Sequence, residues 1–341
     1  MNPKSRFCSL EVLGEESQLD AADPSPRTQF IPDASRTIIA TNDSPDIPFE
    51  ASINAYRGCE HGCVYCFARP AHEYLDMSAG LDFETRILVK HEAPALLRKE
   101  LSSPKWLPKV IAMSGVTDCY QPVERKLRIT RGCLEVLAEF RNPVSIVTKN
   151  FLVTRDIDLL ADLAKHDAAC VHVSLTTLDG DLARVMEPRT SHPRRRLEAM
   201  RMLTDAGVPV TVLIAPVVPG LTDHELPALV AAAAGAGAVS AYYIPLRLPY
   251  GVKDLFADWL GRHFPDRKEK VLGRVREIRA GKLNDANFGS RLRGEGVFAG
   301  QFKAMFEMAC RKAGLHEQAA TPLSTAAFRR PWGAGEQGSL F

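Results

Sequence analysis

The stretch CEHGCVYC, residues 59–66, decides the fold because of where it stands in the chain. It directly follows the first of six short apolar segments and contains three cysteines, Cys59, Cys63 and Cys66. No G-x-G-x-x-G follows that first segment, so the turn lacks the mark of a dinucleotide-binding fold. In parallel α/β proteins, functional residues collect at the carboxyl ends of strands. A cysteine loop after the first strand therefore favours a six-stranded partial barrel over an open doubly wound sheet.

Short apolar segments alternate with longer amphipathic segments from about residue 50 onward. The expected strands cover residues 51–56, 109–115, 144–149, 170–177, 208–217 and 239–246. The expected helices between them cover residues 93–101, 123–140, 155–165, 194–206 and 223–236. This alternation indicates βαβ units and a parallel sheet. Because the strands are almost continuously apolar, we expect them to be buried on both faces.

The chain divides into four regions by composition. Residues 1–45 are rich in Asp, Ser, Pro and Thr and are expected to form a partly disordered arm. Residues 46–250 carry the strand–helix alternation of the core. Residues 251–325 are expected to form a helical C-terminal extension, and residues 326–341 a flexible tail with an apolar tip.

Composition excludes several classes of protein. The 341 residues are 45% hydrophobic and 25% charged, as in soluble globular enzymes, and the formal charge of +2 excludes electrostatic wrapping of nucleic acid by the whole surface. No apolar run is long enough to span a membrane, and the N-terminal residues lack the apolar core of a secretory signal. We therefore expect a cytoplasmic protein whose cysteines stay reduced.

Three cysteines in so short a loop indicate a metal site. One alternative is zinc with His61 as a fourth ligand, but structural zinc sites usually join two separated ligand pairs. A cubane iron–sulfur cluster fits better, since thiolates are its usual ligands and each iron takes one. Three cysteines would leave one iron open to a substrate or cofactor.

The spacing C-x3-C-x2-C, with aromatic Tyr65 before the last cysteine, resembles that of the radical S-adenosylmethionine (radical SAM) superfamily over about residues 50–250. The resemblance implies a partial (β/α)6 TIM-like barrel. It implies that Cys59, Cys63 and Cys66 hold a [4Fe–4S] cluster whose open iron binds SAM. Reductive cleavage of SAM would then give a 5′-deoxyadenosyl radical that abstracts hydrogen from a substrate. A flavodoxin or ferredoxin is the expected reductant.

The same resemblance assigns cofactor-binding roles to further residues. Ser114, Gly115 and Thr117, in the stretch MSGVTD that ends the second strand, lie where the superfamily binds the SAM amino group. Tyr65 belongs to the same expected set. A turn after a strand also needs small residues, which is the alternative explanation for this stretch.

Three more positions complete the expected cofactor site. Lys149 ends the third strand and Ser174 lies in the fourth, where relatives contact the SAM carboxylate and ribose. A lysine at the end of a buried strand is costly to desolvate without an anion. Arg189 follows the fourth strand, and its planar guanidinium is suited to a carboxylate or phosphate.

Within the superfamily, the sequence HGCVYCFAR and the Thr-Asp pair after the second strand resemble the spore photoproduct lyase-related group, often described as DNA repair photolyases. Two departures argue against thymine-dimer reversal. Gly115 stands where those lyases have a hydrogen-donating cysteine, and Phe67 stands where they have a tyrosine. Cys119 and Tyr120, close downstream, are the candidate substitutes as catalytic hydrogen donors.

The C-terminal sequence QGSLF resembles the short peptide with which bacterial DNA-handling proteins bind the sliding clamp. Gln337, Ser339, Leu340 and Phe341 match, and Gly338 replaces the usual leucine. Two apolar anchors on a flexible linker suit a hydrophobic groove. The sequence therefore predicts a clamp partner, with a tail that folds onto its own domain as the alternative.

The leading functional prediction is a radical SAM enzyme that acts on nucleic acid or another large substrate, with DNA repair or nucleic-acid modification as its role. One alternative is a non-catalytic iron–sulfur or zinc protein that serves as a DNA-linked scaffold. Another is radical modification of a peptide or a small metabolite.

Overall fold

The computed structural model describes residues 28–315 and 322–331, so the clamp-like peptide from Gln337 to Phe341 lies outside the described residues. The strands are β1 (Gln29–Pro32), β2 (Ile39–Thr41), β3 (Ala51–Ile53), β4 (Tyr56–Arg57), β5 (Arg86–Val89), β6 (Ile111–Met113), β7 (Val144–Thr148), β8 (Ala169–Ser174), β9 (Val210–Val217) and β10 (Ser240–Pro245). The α-helices are α1 (Leu81–Thr85), α2 (Ala93–Ser102), α3 (Glu124–Leu127), α4 (Ile129–Phe140), α5 (Ile157–Ala164), α6 (Gly180–Met186), α7 (Pro193–Asp205), α8 (Leu226–Gly235), α9 (Val252–His263), α10 (Lys268–Glu277) and α11 (Gly296–Ala313). Short 3₁₀ helices cover Arg69–Leu75, Phe151–Asp156, Asp223–Glu225 and Pro265–Arg267.

The main sheet has seven strands in the order β10-β9-β8-β7-β6-β3-β2. Six of its strands are parallel to one another, namely β3, β6, β7, β8, β9 and β10. Strand β2 pairs antiparallel with β3 at the edge of the sheet. Five of the parallel strands fall within the apolar segments of the sequence, β8 begins one residue before its segment, and helices follow in the expected gaps. The prediction of a partial six-stranded parallel α/β barrel is confirmed.

The apolar character of the strands predicts burial on both faces, which β6 shows but β7 and β8 do not. In β7 and β8, buried residues such as Val144 and Val171 pack in the core with the helices, and they alternate with half-buried residues such as Ser145, Cys170 and His172. An open barrel keeps an inner face that helices do not cover. In β7 and β8 that face includes the polar side chains of Ser145, Cys170 and His172.

A second, three-stranded sheet covers the start of the barrel in the order β1-β5-β4. The guanidinium of Arg57 lies 2.8 Å from the carboxylate of Asp33, which joins β4 to the end of β1. Residues 28–45 therefore include two strands, β1 and β2, although the sequence placed them in an arm. These strands were missed because each has only three or four residues and is largely exposed.

The helical extension packs onto the last strands. The ring of Phe306 in α11 lies 4.7 Å from that of Tyr243 in β10, and Trp259 in α9 donates from Nε1 to the carbonyl of Val185 at 3.0 Å. Across the described residues, no helix is long and apolar enough to cross a membrane.

Residues 322–331 run along the opposite end of the barrel from the cysteine loop. Ser324 donates its N–H to the carbonyl of Asp167 at 2.8 Å, and Arg329 donates its N–H to that of Phe140 at 2.9 Å. The guanidinium of Arg330 donates to the carbonyl of Trp106 at 2.8 Å. Arg329 and Arg330, which lie in the segment expected to be a flexible tail from residue 326, are therefore hydrogen-bonded to the barrel.

Candidate active site

The cysteine loop begins at Gly58, which has a φ of +85°. A Cβ at this position would lie 2.8 Å from Cε1 of His72 and 2.8 Å from the carbonyl oxygen of Phe83. The N–H of Cys59 donates to that same carbonyl at 2.8 Å. Only glycine can adopt this positive φ and also fit so close to His72 and Phe83. The start of the loop is therefore held against α1.

The three cysteines of the loop are free thiols on one side of the barrel mouth. Cys59 and Cys63 are buried and Cys66 is half-buried. Burial raises the pKa of the Cys59 thiol well above its usual value, with smaller contributions from Asp118 and the other two cysteines. Burial also raises the pKa of Cys63 to about 12, opposed by the Lys149 ammonium. Metal binding here must therefore release protons.

The donor set fits an iron–sulfur cluster. In such a cluster each of the three thiols binds a different iron. The three sulfur atoms therefore do not need to converge on a single metal ion. Among the described residues, no group of three or more His, Cys, Asp or Glu side chains is placed to hold a single metal ion. The zinc alternative therefore gains no support from the geometry.

Arg69, which sequence reasoning missed, holds the backbone of the loop. Its Nε donates to the carbonyl of Cys63 at 2.9 Å and its Nη2 to that of Gly62 at 3.0 Å. Nη2 also donates to Oε1 of Glu84 at 2.6 Å, and the guanidinium lies 5.4 Å from the ring centre of Phe83. Arg69 is only 2% exposed, so these bonds are made away from water.

Arg189 serves the same loop from the other side. Its Nε donates to the carbonyl of Glu60, and its Nη2 donates to Oε2 of Glu84 at 3.0 Å. The backbone N–H of Arg189 donates to the carbonyl of His61 at 3.3 Å. We expected this guanidinium to hold a cofactor anion, but these contacts commit it to the protein, because Glu84 already supplies its carboxylate.

Asp118 joins the cysteine loop to the ends of two strands. One carboxylate oxygen accepts from the Thr148 hydroxyl at 2.8 Å, and the other accepts from the N–H of Lys149 at 2.8 Å and lies 3.3 Å from Nδ1 of His61. Burial by itself raises the pKa of Asp118, but His61 and the N–H donors outweigh it and hold that pKa below its usual range. His61 is thereby engaged with Asp118 and Asn150, and does not act as a fourth ligand to the cysteines.

Thr117 connects the loop after β6 to the cysteine loop. Its hydroxyl donates to the carbonyl of Gly58 at 2.6 Å and accepts from Nε2 of Gln121 at 3.1 Å. Oε1 of Gln121 accepts in turn from the N–H of Glu60 at 2.9 Å. The Thr117 hydroxyl, expected to contact SAM, is used inside the protein, where it positions the residues before the first cysteine.

Ser114 and Gly115 lie at the carboxyl end of β6, as expected for the SAM-binding turn. The side-chain oxygen of Asn54 accepts from the N–H of Gly115 at 3.0 Å and of Val116 at 3.1 Å. Ser114 has a φ of +80°, and its hydroxyl oxygen accepts from the N–H of Cys119 at 2.9 Å. These hydrogen bonds fix the shape of the turn. The contact of Ser114 and Gly115 with SAM stays a prediction.

Lys149 and Tyr65 face the cysteines together. Nζ of Lys149 lies 5.8 Å from the ring centre of Tyr65, and the Tyr65 hydroxyl donates to Glu187. Burial raises the pKa of Tyr65 well above its usual value, and Glu187 adds to that shift. The Lys149 ammonium also favours the ionised forms of Cys63 and Glu187. Lys149 is therefore a cation at the mouth of the barrel beside the cysteine loop.

Glu187 and Arg196 form a buried ion pair beneath Tyr65. Nη1 of Arg196 also donates to the carbonyl of Ser174 at 3.1 Å, and the Ser174 hydroxyl donates to the carbonyl of Ala215 at 3.3 Å. Ser174 is the last residue of β8, and both its backbone carbonyl and its side-chain hydroxyl are hydrogen-bonded within the protein. Arg196 is 1% exposed, although its place in the run Arg194–Arg196 predicts a solvated helix face.

Cys119 and Tyr120 are buried in the main core. The Tyr120 hydroxyl donates to Asp156 at 3.2 Å, in the helix layer, with the Arg155 guanidinium 5.9 Å from its ring centre. Burial raises the pKa of the Cys119 thiol well above its usual value. Because the polar contact of Tyr120 lies among the helices, this arrangement gives no support to the predicted role as hydrogen donor at the cysteine loop.

The sequence matches the family model of the Radical SAM superfamily over residues 53–233. An uncharacterised protein of Mycobacterium tuberculosis is 39% identical over 234 residues, which cover 68% of each chain. An uncharacterised protein of Methanocaldococcus jannaschii is 31% identical over 173 residues, or 51% of this chain and 62% of that relative.

Among solved structures, spore photoproduct lyase complexed with dinucleoside spore photoproduct has the same fold. Its TM-score is 0.61 at 16% sequence identity, with 90% of this chain and 85% of that chain covered. At this identity the likeness concerns the fold alone. The family match, however, covers more than half of the sequence and includes the cysteine loop. The chain therefore belongs to the radical SAM superfamily and is an enzyme of that type.

Proposed function

We propose that Cys59, Cys63 and Cys66 bind a [4Fe–4S] cluster and that its open iron takes SAM. When bound, this cofactor pair supplies the electron for reductive cleavage of SAM and a 5′-deoxyadenosyl radical that removes hydrogen from the substrate. The observation that carries the proposal is the set of three free thiols on one buried loop at the carboxyl ends of parallel strands.

The residues around the loop have separate tasks in this proposal. Arg69, Arg189 and Thr117 hold loop carbonyls and so keep the thiols in place. Lys149 supplies the positive charge for the SAM carboxylate, with Tyr65 beneath it. We propose that Ser114, Gly115 and Ser174 contact SAM, because they lie at the carboxyl ends of the parallel strands β6 and β8.

The chain also needs an electron donor, as radical SAM enzymes do, and we propose a flavodoxin or ferredoxin. Residues 46–250 form the proposed catalytic domain and residues 251–325 a helical extension. The substrate we propose is nucleic acid, supported by the fold shared with a lyase solved with a dinucleoside photoproduct. The clamp partner and the cytoplasmic location stay predictions.

The test is anaerobic reconstitution with iron and sulfide, followed by reduction with dithionite in the presence of SAM. We expect release of 5′-deoxyadenosine from the wild type and none from Cys63→Ala. The matched control is Cys170→Ala, which removes a half-buried thiol on the inner face of β8 and should leave the release intact. An intact cluster that yields no 5′-deoxyadenosine would contradict the proposal.

The same samples distinguish the alternatives. Zinc without sulfide, or a cluster whose EPR spectrum does not respond to SAM, would favour a non-catalytic scaffold. Deuterium tracing from labelled oligonucleotides, peptides or metabolites into 5′-deoxyadenosine would identify which class of substrate loses hydrogen.

A further inference from the structure

Exposed aromatic side chains are concentrated beside the cysteine loop. Phe67, which directly follows Cys66, is 52% exposed, and Phe288 in the extension is 60% exposed. Tyr74 and Tyr250 are also exposed, and the residues next to them, Glu73 and Gly251, approach each other. Exposed rings on one side of a protein mark an interaction surface more often than scattered apolar residues do.

Arg247 lies over the first of these rings. Its guanidinium carbon is 5.1 Å from the ring centre of Phe67, and the residue follows the end of β10 by two positions. In the part of the chain that the structure describes, no hydrogen bond or ion pair is recorded for this guanidinium. Burial lowers the pKa of Arg247 and the charge of Arg291 adds to that shift, while the carboxylates of Asp46 and Asp285 oppose it. A half-buried cation without a bonded anion is a candidate site for a ligand anion.

Arg291 makes a second pair of the same kind but is already neutralised. Its guanidinium carbon lies 4.5 Å from the ring centre of Phe288, while its Nε donates to Asp46 at 2.6 Å. Nη2 of Arg291 donates to the Ser44 hydroxyl at 2.6 Å. The charge of Arg291 acts on Arg247, and we call the four side chains Phe67, Arg247, Phe288 and Arg291 the arginine–phenylalanine rim.

We propose that the arginine–phenylalanine rim binds a single-stranded segment of a nucleic-acid substrate, with Arg247 on a phosphate and Phe67 stacked on a base. This inference rests on the proposed function, since the rim borders the proposed cofactor site. A guanidinium forms strong paired hydrogen bonds with phosphate oxygens, and an exposed ring accepts any base. An anionic peptide would use the cation but would leave the flat rings without a matching partner.

A single strand fits better than an intact duplex. The net charge of the chain is only +2, so the surface as a whole does not provide the field that duplex binding requires. Radical chemistry at the bottom of a barrel mouth also needs a base outside the duplex stack. An arginine without a hydrogen-bonded carboxylate, beside exposed rings, has the elements of single-strand recognition.

The test measures binding of a fluorescein-labelled oligothymidine of about twelve nucleotides to the reconstituted enzyme by fluorescence anisotropy. Phe67→Leu keeps the apolar volume but removes the ring, and should weaken binding about tenfold without changing the salt dependence. Arg247→Gln should weaken binding about tenfold and reduce the slope of log K against log salt by about 0.7, the value for one phosphate contact on a single strand.

Two control variants distinguish a loss of oligonucleotide contacts from a loss of folding. Phe67→Tyr retains a ring and should bind as the wild type does. Arg98→Gln changes another arginine that lies over a phenylalanine, Phe140, but one that is ion-paired with Glu139 on the helix layer. This variant should leave oligonucleotide binding unchanged.

The outcomes separate this inference from the proposed function. Release of 5′-deoxyadenosine without oligothymidine binding, or binding that neither Phe67→Leu nor Arg247→Gln weakens, would overturn the rim proposal alone. Rim-dependent binding by an enzyme that does not cleave SAM would support the rim and refute the proposed function. Equally tight, Arg247-dependent binding of a polyglutamate peptide would overturn the assignment to nucleic acid.

Discussion

Arg69 and Glu84 form an ion pair of 2.6 Å beside the cysteine loop, and their side chains are only 2% and 5% exposed. The same carboxylate pairs with Arg189 at 3.0 Å. Glu84 therefore neutralises two buried guanidiniums that hold loop carbonyls. Glu84 thus supports the cysteine loop through these two arginines.

Glu84→Gln should destabilise the protein strongly. The substitution removes the counter-charge of two buried arginines, and breaking a buried ion pair typically costs about 3–5 kcal/mol. We expect a loss of this size in the free energy of unfolding, measured by anaerobic urea denaturation, and reduced iron content after reconstitution. The matched control is Glu139→Gln, an exposed partner of Arg98, which should cost about 1 kcal/mol or less. Equal losses in the two variants would contradict a central role for Glu84.

Gly58→Ala should prevent the loop from adopting its present shape. Gly58 has positive φ, and an added Cβ would lie 2.8 Å from both His72 and the carbonyl of Phe83. Gly207→Ala is the matched control, since Gly207 has a φ of +80° but no atom within 4 Å of an added Cβ. Gly207→Ala should cost only the conformational penalty of about 1–2 kcal/mol.

The two glycine variants are compared by urea denaturation and by iron bound per chain. Gly58→Ala should lose more stability than the control and most of its iron. If Gly58→Ala retains full iron content, the close contacts at Gly58 do not constrain the cysteines.

The barrel could be predicted because each parallel strand coincides, to within one residue at its start in β8, with an apolar segment that a helix separates from the next. The small sheet could not, because β4 has two residues and β1 is mostly exposed. Such strands carry no periodic signal. They form because neighbours distant in sequence, such as Asp33 and Arg57, pair with each other.

The cysteines could be recognised because their spacing is local. Their support could not, because Glu84 and Arg189 are 105 residues apart and meet only in the folded chain. The sequence predicts that the guanidinium of Arg189 binds an anion. The anion it binds is a carboxylate of the protein, and no pattern in the sequence marks Glu84 as that partner.

Lys149→Met should weaken SAM binding. Nζ of Lys149 lies over the ring of Tyr65 beside the cysteines, and a hydrogen bond to a charged group contributes about 1.5–3 kcal/mol. We expect the dissociation constant for SAM to rise about tenfold to a hundredfold, measured by titrating the EPR signal of the reduced cluster.

Lys149→Arg keeps the charge and should retain part of the affinity. Lys165→Met removes an exposed lysine that lies 3.6 Å from Asp162 and should have no effect. An unchanged SAM affinity in Lys149→Met would show that this lysine does not contact the cofactor.

His172, on the inner face of β8, should make stability depend on pH. Burial lowers its pKa from 6.5 to about 4 in the folded protein. The unfolded chain therefore binds more protons than the folded chain between these values, and the free energy of unfolding falls as the pH is lowered through that window. Because the side chain is partly exposed, we expect a loss of only about 1–2 kcal/mol from this residue between about pH 7 and about pH 4.5.

His172→Gln should remove this component, so its free energy of unfolding should fall less than that of the wild type over the same pH range. Urea denaturation at a series of pH values measures the difference. His91→Gln, at an exposed position, is the control and should follow the wild-type curve. Parallel curves for wild type and His172→Gln would mean that His172 is hydrated enough to titrate as in the unfolded chain, and that the inner face of the barrel is open to water at β8.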